Sequence, residues 1–146
     1  MYTEQSIAVV PVGTGVLAAD VLTATGDHGE YVVLSPCSVR RIMAYVSTAV
    51  VGPTTAPVVT FRRRPTPGSA TGQIDLGTLT VPTGTAVGKV VYKDVSPVKL
   101  DVGDSILITV STAATGGTPA GGAYYGFELE LSPDDPRNQP DMVQSA

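Results

Sequence analysis

His28 and Cys37 are the only histidine and the only cysteine in a chain of 146 residues. A serine or cysteine triad would have to use His28, because an imidazole is the base that activates such a nucleophile. His28 stands in Thr25-Gly26-Asp27-His28-Gly29-Glu30, where Asp27 or Glu30 is available to orient the ring. Glycine on both sides and no apolar neighbour make the same residues read better as a polar turn between two strands. Cys37 follows Ser35-Pro36. No helix N-terminus precedes it to lower a thiol pKa, so it reads as a small buried or half-buried residue. One cysteine and one histidine exclude an internal disulfide and a Cys/His zinc cluster.

Other side chains carry weaker signals. Asp101, Asp104, Asp134, Asp135 and Asp141 lack the spacing of a calcium loop and read as surface turns. Gly13-Thr14-Gly15 is too short for a phosphate loop, and no helical pattern follows it. Six tyrosines, two phenylalanines and no tryptophan supply few stacking platforms for sugars or single-stranded nucleic acid. Arg62-Arg63-Arg64 is the strongest charged feature. Guanidinium forks suit carboxylates and phosphates, so the triplet is a candidate contact with an acidic patch on a neighbouring protein. The competing reading is a charged strand end that blocks aggregation. Alternation places Arg62 and Arg64 on one face and Arg63 on the other.

The elements that must position these residues are strands. Val, Ile and Thr make up nearly a third of the chain. These side chains are stiff at χ1 and suit a pleated surface. No segment sustains a helical period. Short β-like runs are expected at 6–12, 15–24, 30–35, 38–51, 56–63, 73–81, 87–95, 104–112 and 123–131, separated by turn residues. Ile106, Ile108 and Val110 share one face of their run, with Ser105, Thr109 and Ser111 on the other. Tyr125, Phe127, Leu129 and Leu131 oppose Tyr124, Glu128 and Glu130 in the same way. Both patterns describe half-buried antiparallel strands with one wet face. The stretch from Val87 to Leu100 reads as a strand broken at Ser96-Pro97. The loops 65–72 and 115–122 hold few apolar anchors and are expected at the surface.

Met1-Tyr2-Thr3-Glu4-Gln5 has no basic start or long apolar core and is not a secretory signal. Residues 42–61 are uncharged and long enough to cross a bilayer. Gly52-Pro53 and Pro57 interrupt them, so two strands joined by a turn are expected and no membrane partner. The net charge of −4 disfavours nucleic acid. It divides into +2 over residues 1–100 and −6 over 101–146, an asymmetry suited to self-association or to a charged lattice.

From Leu76-Gly77-Thr78-Leu79-Thr80-Val81-Pro82 onward the chain resembles a known class. Gly84-Thr85-Ala86-Val87-Gly88-Lys89-Val90-Val91-Tyr92, Val98-Lys99-Leu100-Asp101-Val102-Gly103-Asp104 and Ile106-Leu107-Ile108-Thr109-Val110 follow. A Gly-rich loop then leads to Tyr124-Tyr125-Gly126-Phe127-Glu128-Leu129-Glu130-Leu131-Ser132-Pro133. Over roughly residues 70–146 this style is similar to the small β-sandwich virion proteins of tailed bacteriophages, particularly head decoration (cement) proteins. The resemblance implies a non-enzymatic protein, a trimer or dimer, bound to the major capsid protein on the outer capsid surface after synthesis in the host cytoplasm. It implies terminal arms that reach neighbouring subunits.

The expectation is therefore an all-β antiparallel sandwich, of jelly-roll kind, over 1–131, with residues 1–10 as an N-terminal arm and 132–146 as an extended C-terminal arm. Tyr2 and Ile7, with Met142 and Val143, are the expected arm anchors, and Arg62, Arg63 and Arg64 the expected charged contact. No catalytic residue, cofactor or metal is expected. Rival readings are a tail or head–tail accessory subunit, and a carbohydrate- or receptor-binding sandwich that uses exposed tyrosines, Tyr124 first.

Overall fold

The computed structural model describes residues 5–10, 22, 25–34, 36–48, 54–115 and 122–131. Eight strands run β1 (Gln5–Val10), β2 (Gly26–Val32), β3 (Cys37–Thr48), β4 (Val58–Arg64), β5 (Ile74–Thr80), β6 (Val90–Leu100), β7 (Ser105–Thr112) and β8 (Gly122–Leu131). They form two four-stranded sheets, ordered β1-β8-β3-β6 and β2-β7-β4-β5. Every pairing is antiparallel. Among the described residues there is no helix, and so none long and apolar enough to cross a membrane. The chain is thus an all-β protein of two antiparallel sheets, as its composition predicts.

The core lies between the sheets and follows the period of two. Ile42, Ala44 and Val46 of β3 and Tyr125, Phe127 and Leu129 of β8 meet Val59 and Phe61 of β4 and Ile106, Ile108 and Val110 of β7. Ile106, Ile108 and Val110 thus share the core face as expected, as do Tyr125, Phe127 and Leu129, while the other face of β7 is buried too at Ser105 and Leu107. Tyr31 and Phe127 join the sheets edge to face, with ring centroids 5.1 Å apart. Leu22 is the one described residue of the expected 15–24 strand. It is fully buried, and its carbonyl accepts a bond from the Ala114 amide at 2.7 Å.

Three local expectations change. His28 stands inside β2, at a register shift between Asp27 and Gly29, and not in a turn. An extra residue at a bulge keeps the flanking side chains on their faces, and this hides the strand from a strict alternation rule. β6 continues through Ser96-Pro97 to Leu100. Val39 pairs Val98 while Arg41 pairs Asp94, so three residues of β6 stand against one of β3. Proline is tolerated there because β6 is an edge strand and needs no ladder donor on its open side. Residues 5–10, expected within an arm, form edge strand β1 on β8. Residues 1–4 and the expected arm 132–146 lie outside the described residues, as do Tyr2, Met142 and Val143.

Gly77 marks a close approach of the sheets at β5 and β6. A Cβ placed on it would lie 2.8 Å from Val95 Cγ1 and 3.3 Å from Ile42 Cδ1. Gly77→Ala is therefore expected to cost about 1–3 kcal/mol, the range for overpacking. Urea unfolding checks this. An unchanged midpoint would mean that Val95 moves aside freely.

Candidate functional site

The outer faces of the two sheets differ in kind. Directly paired residues share a face, so the register assigns both. On the β2-β7-β4-β5 sheet the outer rows are mainly polar, with Leu107 buried among them and Val32 exposed at the β2 edge. Arg62 Nε meets Asp75 Oδ1 at 2.8 Å. Arg64 reaches Glu30 at 3.6 Å and Asp27 at 3.9 Å, and donates to Gln73 Oε1 at 3.3 Å. Glu30 Oε1 also accepts from Ser105 Oγ at 2.5 Å and from the Gly68 amide at 3.0 Å. Thr109 donates to Asp27 at 2.8 Å, and Thr60 to Ser111 at 2.9 Å.

Arg63 takes the opposite side, as alternation predicts. Its Nε donates to Asp104 Oδ2 at 2.8 Å. The same oxygen accepts the Asp101 amide at 2.9 Å and closes the turn before β7. The three arginines proposed as a partner contact are brought together, and each is held by carboxylates of its own chain. What they offer an outside partner is their remaining N–H groups.

The outer face of the β1-β8-β3-β6 sheet is apolar over two adjacent rows, with polar rows such as Lys99-Ser38-Glu130 beyond them. Val90, Tyr45 and Tyr124 form one row, and Tyr92, Met43 and Gly126 the next. Asp94, Arg41 and Glu128 form the third. Tyr92 is 58% exposed, Val90 51% and Tyr45 43%. The Tyr45 and Tyr124 rings tilt against each other with centroids 6.4 Å apart. Gly126 has no side chain to fill the middle of the face. There Met43, Tyr45, Val90, Tyr124, Tyr125 and Gly126 line an apolar pocket of about 290 Å³. Tyr125 itself turns into the core, where burial raises its phenol well above the ordinary value.

The charged row bounds the apolar rows. Arg41 Nε donates to Asp94 Oδ1 at 2.6 Å, and the guanidinium lies 4.4 Å from the Tyr92 ring centroid. Glu128 is 3.9 Å from the same guanidinium. The bond to Asp94 raises the Arg41 pKa further above its already high value. The cation stays charged and stacks on Tyr92.

Sequence reasoning put Tyr124 first among six tyrosines that include Tyr45 and Tyr92, but did not point to Met43, Val90 or Gly126. The available signal was a tyrosine and a glycine on what should be the wet face of β8, where charges are the rule. Ile7, an expected anchor, lies in β1 opposite Glu128. It therefore neighbours this face in register.

Asp27 and Glu30 are bonded to Thr109 and Ser105. Among the described residues no group of three His, Cys, Asp or Glu side chains can hold a metal ion. Cys37 is 2% exposed, and its pKa is pushed up to about 11, by burial first and the Asp104 charge second. Near pH 8 its thiolate fraction is then about a hundredfold below that of an ordinary thiol, one factor of ten per pKa unit. Reaction with a disulfide reagent is expected to slow by at least that much in the native protein relative to the urea-unfolded chain. Equal rates would show an open thiol. Because the folded pKa is the higher, the stabilisation is complete below about pH 9 and declines toward pH 11, as the unfolded thiol ionises first.

No family model, curated protein or solved structure matches the chain.

Proposed function

We propose that this chain is a structural, non-catalytic virion protein: a capsid decoration protein that binds the outer surface of a phage head and bridges neighbouring capsid subunits. The observation that carries the reading is the contrast between the outer faces. One is covered by ion pairs and hydrogen bonds within the chain. The other exposes Tyr45, Tyr92, Tyr124 and Val90 around an apolar pocket. Clustered exposed aromatics beside a pocket are the composition of a binding hot spot. A polar rim such as Asp94-Arg41-Glu128 fixes orientation more than affinity.

The strand order supports a jelly roll. Orders 1-8-3-6 and 2-7-4-5 are those of two nested Greek keys, an architecture frequent in viral capsid and lectin domains. In this reading many copies, as dimers or trimers, dock through the tyrosine face onto the major capsid protein. Modest single interfaces then add up along the lattice. Tyr2, Met142 and Val143 serve as arm anchors to neighbours, while Ile7 stands in edge strand β1. The remaining N–H groups of Arg62, Arg63 and Arg64 contact acidic capsid side chains.

The test is copy number in purified particles, set against the major capsid protein. Hundreds of copies, commensurate with the lattice, support decoration. A few dozen would move the chain to the tail or connector, and absence would discard the virion reading. Tyr45→Asp with Tyr124→Asp is expected to lower retention on heads by at least tenfold, because each hot-spot residue contributes about 2 kcal/mol or more.

The second reading, a carbohydrate- or receptor-binding sandwich, draws on the same exposed tyrosines. A sugar site sets polar groups beside its stacking ring, whereas this pocket is walled by apolar surface.

A further inference from the structure

The tyrosine face is a large apolar surface for a free chain to leave in water, and the sequence supplies a cover of matching length. We infer that residues 132–146 of the same chain fold back along the outer face of the β1-β8-β3-β6 sheet and seat Met142 and Val143 in the pocket formed by Met43, Tyr45, Val90 and Tyr124. This concerns the free chain and does not depend on the capsid reading.

Three observations carry it. The first is distance. β8 ends at Leu131, and Tyr124 at the pocket is seven residues back along the same strand. At about 3.4 Å per residue that is about 24 Å. Ser132-Pro133-Asp134-Asp135 has the composition of a type I turn, with proline at its second position. From Asp135 to Met142 is again seven residues, and Pro136 and Pro140 favour an extended form of about 3.1 Å per residue, or about 22 Å. A segment that turns back after Leu131 therefore arrives at the pocket with Met142.

The second is chemistry. Met142 and Val143 are the only large aliphatic side chains between 132 and 146. Methionine is unbranched and polarisable, fills irregular apolar gaps and packs well against aromatic rings.

The third is the order of charges. The row Asp94-Arg41-Glu128 carries one net negative charge and crosses the path near its start, where Arg137 would pass. Opposite charges meet where the path begins. Because the segment is tethered, its effective concentration at the face is about millimolar, so weak contacts suffice.

The test uses the full chain labelled at its methionine methyl groups, which gives three signals, from Met1, Met43 and Met142. Seated against Tyr45 and Tyr124, the Met142 methyl is expected to shift upfield. It should return to the free-peptide position in Tyr124→Ala and move toward it in Arg137→Glu. The Met43 signal should move in Met142→Asp. Tyr124 is 37% exposed, so its truncation leaves the core intact. A Met142 signal at the free-peptide position in the unaltered chain would overturn the inference. An upfield shift that vanishes on dilution, together with a change in sedimentation, would also overturn it and assign the pocket to the segment of a second copy.

Discussion

Phe127→Ala is expected to cost about 3–5 kcal/mol, the range for truncating a buried phenylalanine. Phe127 is fully buried near the middle of β8, between Ala8 of β1 and Ile42 of β3 in register. Its ring meets the Tyr31 ring of the opposite sheet at an interplanar angle of 66°. The substitution thus opens a cavity at the junction of three strands and removes an aromatic contact between the sheets. Domains are stable by only about 5–15 kcal/mol, so the variant should lose a large share of its stability. Phe127→Leu, which keeps most of the volume, should cost about 1.5 kcal/mol or less. Urea titrations of both, with unchanged slopes, check the pair. Equal losses would show that volume at this site does not decide stability.

Arg63→Met is the second large effect, expected at about 3 kcal/mol. The Asp104 side chain is only 8% exposed, and one oxygen serves both Arg63 and the Asp101 amide. Without the guanidinium that carboxylate is a buried charge with one neutral donor. Breaking a buried pair in this way costs about 3–5 kcal/mol, and the partial exposure of Arg63 argues for the low end. Adding Asp104→Asn to Arg63→Met should recover much of the loss, because the unpaired charge disappears. Arg62→Met provides the contrast. Its partner Asp75 is 62% exposed, and pairs of that kind contribute about 1 kcal/mol or less. A double-mutant cycle that found no coupling between Arg63 and Asp104 would remove this account.

These arginines show where sequence reasoning stops. Three adjacent positive charges were visible, and alternation correctly separated Arg63 from its neighbours. Their partners were not visible, because Asp104 lies 41 residues away and is brought close by pairing through β7. The strands themselves were legible wherever burial is one-sided, as at Ile106, Ile108 and Val110. The start of β2 was obscured where a bulge shifts the phase at His28. The tyrosine face was least legible. Tyr45, Tyr92 and Tyr124 come from three strands, and only the order β8-β3-β6 sets them side by side. Gly77 carried no signal, since its backbone is ordinary and only the approach of Val95 restricts it.

The first strand waits for the last. Gln5 pairs with Glu130, and β3 likewise needs β8 for its other edge, while among adjacent strands only β4 and β5 pair directly. During synthesis the apolar residues of β1 and β3 therefore leave the ribosome long before the strand that joins them exists. Closure of such long loops is slow, so the chain completes its fold only after nearly all of it has been made. Until then its strand edges and tyrosines are open to chaperones and to other nascent copies. Under rapid synthesis that interval, more than native stability, sets the yield.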